Sequence, residues 1–181
     1  MQKYILPILL GSAMVSTAFA QQPTFTEWHD LKVNDINRFT PHTNFFAFES
    51  EQKALQNQKQ QSANYLSLEG NWKFNWVKDA NQRPTNFFSP SFDDAAWGNM
   101  VIPGCWELNG YGEPIYLNVG FPWRGHFKDN PPEVPEVNNH VGSYRRTITL
   151  PADWNGRQVI AHFGSVTSNM YLWVNGSFVG Y

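Results

Sequence analysis

Paired carboxylates and one amide held between two prolines are the side chains of this sequence whose types and spacing could do chemistry. Glu107 and Glu113 flank an Asn-Gly-Tyr-Gly turn, Asp93 and Asp94 precede Ala-Ala-Trp, and Glu133 and Glu136 stand in a proline-rich stretch. Two carboxyl groups brought together can divide general acid and base work, but carboxylates in such places ordinarily serve as solvated or capping groups. The amide lies in EPIYLNVGFPW, Glu113 to Trp123. Proline removes a backbone donor and restricts its predecessor, so Pro114 and Pro122 push Glu113 and Phe121 to extended conformations and exclude a helix. The stretch reads as a stiff loop presenting Asn118. That amide offers a donor and an acceptor to a ligand, or bonds its own backbone in a turn. Trp106, Tyr111, Tyr116 and Trp123 place aromatic faces beside it, as loop supports or as stacking walls.

The elements that must hold this loop read as short strands. SLEGNWKFNWV sets Leu68, Trp72, Phe74 and Trp76 near period two around Gly70-Asn71, which predicts a strand entered from a turn. SYRRTITL alternates Tyr144, Arg146, Ile148 and Leu150 with polar neighbours, and RQVIAHF follows as another strand candidate after the turn residues Pro151, Asp153, Asn155 and Gly156. Asn175-Gly176 between β-rich runs predicts a type I′ hairpin. FDDAAW, Phe92 to Trp97, allows one helical turn with an aspartate near its start. Glu49 to Asn64 is polar and Gln-rich, an exposed linker or short surface helix. Many short strands separated by Gly, Pro and Asn predict an all-β sandwich of jelly-roll type.

Composition narrows the function classes. The net charge is −2, charged residues make up 15% of the chain and there is no basic cluster, which argues against a nucleic-acid partner. One cysteine, Cys105, excludes an internal disulfide, and the five histidines never fall at metal-ligand spacing. Aromatics are 16% of residues, with eight Trp, enough for a burial-driven core and for ligand walls. Met1 to Ala20 has an early Lys3, an apolar run and an Ala-Phe-Ala end, and reads as a secretory leader cut before Gln21. The run is shorter than the ~20 residues of a membrane span, so no membrane segment is expected after cleavage. Residues 21–64 then form an irregular N-terminal segment and polar linker, and residues 65–181 one β domain. Tyr181 follows closely on the Asn-Gly turn, so the domain is expected to be incomplete at its C-terminal end, with the chain the front of a longer protein or a truncated product.

Three blocks together resemble one family. YLSLEGNWKFNW at 65 to 76, FDDAAWGNMVIPGCWELNGYGEPIYLNVGFPW at 92 to 123, and GSYRRTITLPADWNGRQVIAHFGSVTSNMYLWVNGSFVGY at 142 to 181 resemble the N-terminal sugar-binding domain of the large β-galactosidases of glycoside hydrolase family 2. WHDLKVNDINRFTPHTNFFAF at 28 to 48 resembles the segment preceding that domain. The resemblance implies a galactose-binding-like jelly roll. It also implies that Asn118, in P-I-Y-L-N-V, hydrogen-bonds a galactosyl unit, with Trp106, Tyr116 and Trp123 supporting the loop or stacking on the sugar. Gly104-Cys105 departs from the small or polar pair usual before Trp-Glu; the thiol is expected to be an inert buried group or, otherwise, a reactive one.

The resemblance further implies retaining hydrolysis of terminal β-galactosides by two glutamates of a TIM barrel that follows this domain. Such a barrel needs ~200 residues and does not fit in this chain, so no catalytic residue is expected here. Mg²⁺ and a monovalent cation are implied for the complete enzyme, on residues outside this chain, together with the remaining domains and homo-oligomerisation as partnerships. Export implies the periplasm or the cell exterior. Two other readings stay open: a freestanding carbohydrate-binding module, or a structural interface domain. Sister activities on glucuronides and mannosides share this domain type.

Overall fold

The computed structural model describes residues 22–114, 123 and 133–181. Met1 to Ala20, read from the sequence as a leader, lies outside the described residues. A three-stranded antiparallel sheet is built on β1 (Gly70–Val77), with β2 (Gly98–Ile102) on one side and β3 (Val141–Arg145) on the other. Alternation fixes its faces: Trp72, Phe74 and Trp76 share one face of β1. On that face Trp72 opposes Met100 and Phe74 stands between Gly98 and Tyr144, while Trp76 opposes Gly142. Phe74 and Met100 are each only 1% exposed, which makes this face the centre of the core.

The second element is the hairpin of β4 (Leu172–Val174) and β5 (Ser177–Gly180). Asn175 at φ 51° and Gly176 at φ 83° form the expected I′ turn, a backbone that Asn and Gly tolerate best. The N-terminal segment pairs with the end of this hairpin. Ile36 N–H donates to the Tyr181 carbonyl at 3.1 Å, Tyr181 N–H donates to the Ile36 carbonyl at 3.0 Å, and Asn37 Nδ2 reaches the Val179 carbonyl at 3.1 Å. Trp173 joins the parts: Phe88 stacks on it at 5.1 Å between ring centres, and Phe25 at 5.9 Å.

Among the described residues helix is confined to α1 (Glu51–Gln56) and short 3₁₀ turns, so the expected all-β character is what is observed. Ser50 caps α1 by accepting from Lys53 N–H, and Asn57 closes it in the left-handed conformation. The Phe92 to Trp97 segment makes one turn, in which Asp93 Oδ1 accepts from Ala95 N–H at 2.9 Å and Trp97 N–H donates to the Asp94 carbonyl at 3.0 Å.

Two strand expectations are corrected. Thr147 to Leu150 and the RQVIAHF run are not strands; β3 stops at Arg145, and 157–163 has no assigned strand. Alternation marks a segment that suits a sheet, but a strand exists only where a neighbour completes its hydrogen bonds. Among the described residues none does so there, and the apolar members of both runs stay exposed, Ile160 at 61% and Leu150 at 49%. Cys105 is also exposed, not buried.

Candidate functional site

The segment carrying Asn118 and Tyr116 lies outside the described residues. Its two ends are described, and each is fastened to the sheet by a separate set of contacts.

The entry side is the turn from Trp106 to Glu113. Tyr111 N–H donates to the Trp106 carbonyl at 3.0 Å, Asn109 Nδ2 donates to the Cys105 carbonyl at 2.8 Å, and Gly110 takes a left-handed φ of 85° to close the 3₁₀ turn. Trp106 and Tyr111 both lie on Phe74, with ring centres at 6.2 and 4.7 Å. Two strand glycines make the room. A Cβ at Gly98 would stand 3.0 Å from the Tyr111 hydroxyl, and one at Gly142 would stand 2.6 Å from the Trp106 ring. The Trp106 indole N–H donates to the Tyr144 hydroxyl. Burial pushes the Tyr144 phenol up, against the opposing pull of that hydrogen bond, so it stays protonated through the physiological range. Farther along the turn, a Cβ at Gly112 would stand 3.5 Å from the Trp76 and His140 rings, which meet edge to face at 4.9 Å. The Trp76 indole N–H is buried and has no partner among the described residues.

The exit side is Trp123. Its indole N–H donates to the Asn138 carbonyl at 2.9 Å. Asn138, at φ 56°, donates its own N–H to Asp79 Oδ1 at 2.6 Å, and beside it Ala80 N–H donates to the Glu136 carbonyl at 2.9 Å. Asp79 lies just past the end of β1, after Lys78, and Ala80 is buried. Trp106 and Trp123 are each held by contacts of their own, Trp106 on Phe74 and Tyr144 and Trp123 on Asn138. Asp79, Asn138 and His140 carry no mark of these contacts in the sequence. An aspartate after a strand looks like a turn or cap residue, and nothing local signals a partner 59 positions away.

The carboxylate pairs do other work. Glu107, Glu113 and Glu133 are exposed; Asp93 caps a turn, and Asp94 pairs with Arg145 at 3.0 Å. Arg145 also donates to the carbonyls of Phe92 at 2.7 Å and Ser89 at 3.2 Å, tying the 89–94 loop to β3. Among the described residues the buried carboxylate is Glu27, 4% exposed, which accepts from Thr24 N–H at 2.6 Å and the Tyr171 hydroxyl at 2.9 Å. Burial works to raise its pKa, but those hydrogen bonds outweigh it and hold the carboxyl below its ordinary range. Burial and the adjoining Glu27 push the Tyr171 phenol up. Among the described residues no three His, Cys, Asp or Glu side chains come together as a metal cradle. An open groove of about 420 Å³ lined by Leu150, Trp154, Arg157 and Val159 lies in the 150–159 turn region and includes neither Trp106 nor Trp123.

What these residues define is an all-β scaffold with aromatic side chains packed on its core sheet and held by backbone carbonyls. Comparison with known proteins places the scaffold. The family described as "Glycosyl hydrolases family 2, sugar binding domain" matches residues 65–181, and the chain belongs to that family. It is 36% identical to a beta-galactosidase of Priestia megaterium over 87% of this chain and 15% of that protein. A beta-galactosidase of Vibrio cholerae is 32% identical over 89% of this chain and 14% of its own length. That of Photobacterium profundum is 43% identical over 64% of this chain and 11% of its length. The chain therefore spans only about one ninth to one seventh of the length of these relatives.

Proposed function

We propose that this chain is the sugar-binding front of an exported β-galactosidase, a retaining glycosidase that removes terminal, non-reducing β-D-galactose. What supports the reading is the family match over 65–181 combined with the beta-galactosidase relatives that cover most of the chain. In this reading the domain is a jelly roll and the two catalytic glutamates, the Mg²⁺ and the monovalent cation belong to parts of the enzyme outside this sequence. The remaining domains and further copies of the enzyme are its partners.

The chain's own contribution is binding. Asn118 offers its amide to galactosyl hydroxyls, and Tyr116 and the flanking tryptophans shape the wall around it. Asn118 sits between Pro114 and Pro122. A loop restricted by two prolines and tied at both ends loses little conformational entropy when the sugar arrives, so more of the hydrogen-bond energy appears as affinity.

The test is Asn118→Ala in the complete enzyme with o-nitrophenyl β-D-galactopyranoside. The lost hydrogen bond should weaken binding by roughly 1–3 kcal/mol. Unchanged KM and kcat would remove Asn118 from the site. The leader is tested by the intact mass of the processed protein, which should begin at Gln21; retention of Met1 in the exported fraction would overturn it.

A further inference from the structure

The groove of about 420 Å³ beside the 3₁₀ turn Ala152–Trp154 is within the size range of small-molecule sites, and none of the residues assigned to galactoside binding lines it. Leu150, Val159 and Trp154 supply its apolar lining, Asn155 and Arg157 its polar lining. The turn sets Trp154 and Arg157 in place. Trp154 N–H donates to the Pro151 carbonyl at 3.0 Å, and Arg157 N–H donates to the Trp154 carbonyl at 3.0 Å. Between them Gly156 takes φ 78°, a left-handed backbone that glycine adopts without steric cost. The Trp154 indole N–H donates to the Ala63 carbonyl at 2.8 Å, and Arg157 Nη1 donates to Asn64 Oδ1 at 3.0 Å. Both side chains are thus tied to one neighbouring segment before any ligand arrives, which lowers the ordering cost of binding.

Arg157 is the one charged residue in the lining. Its partner Asn64 is a neutral amide, and among the described residues Arg157 forms no ion pair. A guanidinium carries five N–H donors in a planar fork that matches a carboxylate, so most of that fork is open to an anionic group. The indole beside it offers a flat apolar face, which suits the C–H face of a pyranose ring. A bare anion would leave the apolar lining unused, and a neutral sugar would leave the charge of Arg157 unanswered. We propose that this groove binds a hexuronate, with the sugar ring on Trp154, the carboxylate on Arg157 and a ring hydroxyl within reach of the Asn155 amide.

The experiment is calorimetry on the complete enzyme, with isopropyl β-D-thiogalactopyranoside saturating the galactoside site and D-galacturonate, D-galactose or acetate as titrant. Galacturonate should bind with a roughly millimolar Kd, as expected of a small ligand on an open surface. It should bind roughly 10-fold more tightly than galactose, which lacks the carboxylate, and than acetate, which lacks the ring. Arg157→Gln should bring galacturonate down to the affinity of galactose, and Trp154→Ala should bring it down to that of acetate. Galacturonate binding no tighter than galactose overturns the proposal, as does acetate binding equally well or an affinity that Arg157→Gln leaves unmoved. If Trp154→Ala does not fold, Arg157→Gln and the acetate comparison decide it on the same criteria. Asn118→Ala separates the two readings. It should leave the galacturonate titration at the parent value, and a loss there would put the bound galacturonate on the galactoside site and overturn the groove assignment. An unchanged KM in Asn118→Ala sinks the Asn118 assignment while the groove result stands by itself.

Discussion

Gly142→Ala adds one methyl group to β3 and probes the packing of Trp106 on Phe74. The new Cβ would lie 2.6 Å from Trp106 Cζ2 and 2.8 Å from Phe74 Cε2. Non-bonded carbons settle at about 3.5–4.0 Å, so each ring has to retreat by about 1 Å. Neither retreats freely. Phe74 is 1% exposed and touches Tyr111 and Tyr144 as well, while Trp106 is held by the Tyr144 hydroxyl. Overpacking of this kind costs roughly 1–3 kcal/mol. Alanine returns about 0.5–1 kcal/mol of strand propensity over glycine. A net loss of about 1–2 kcal/mol is expected, lowering Tm by roughly 3–8 °C in a domain of this size. Thermal and urea melts followed by circular dichroism measure it. A double-mutant cycle with Trp106→Leu isolates the cause, since about half of the penalty should disappear when the indole is gone. An unchanged Tm, or a penalty that persists in full without the Trp106 ring, would refute the packing argument.

Acid should loosen the N-terminal segment. Because Glu27 is held below its ordinary pKa, its ionised form stabilises the fold; that contribution is complete above about pH 4.3 and is lost as the pH falls through the lowered folded value. Glu27→Gln should cost roughly 1 kcal/mol at neutral pH and flatten the acid limb of stability, read by tryptophan fluorescence; identical acid limbs in the two proteins would count against it. Expressed alone and without the leader, residues 21–181 should self-associate. Ile148, Leu150, Val159, Ile160, Phe163 and Val166 are all exposed between residues 148 and 166, more apolar surface than an isolated monomer ordinarily leaves open. Light scattering after size exclusion reads this directly, and a monodisperse monomer with a sharp melt would defeat the expectation.

Legibility in the sequence followed the range of the interactions. The Trp72, Phe74 and Trp76 alternation and the Asn175-Gly176 turn are local signals, and β1 and the hairpin lie where they predict. Thr147 to Leu150 and the RQVIAHF run carry an alternation as good, yet form no strand, because pairing is a property of two segments and periodicity describes one. The site divides the same way. Trp106 and Trp123 could be singled out because indoles beside a proline-bounded loop are conspicuous in one dimension. What they rest on could not: Gly98 and Gly142 are legible as glycines, but their function as a shelf for two aromatic rings exists only once β2 and β3 flank Phe74. Asp79 is the sharpest case. Local chemistry assigns its carboxylate to the following turn, and tertiary structure assigns it to Asn138 instead. A side chain that forgoes its nearest backbone donor for one 59 positions away marks where tertiary contact overrides local capping chemistry.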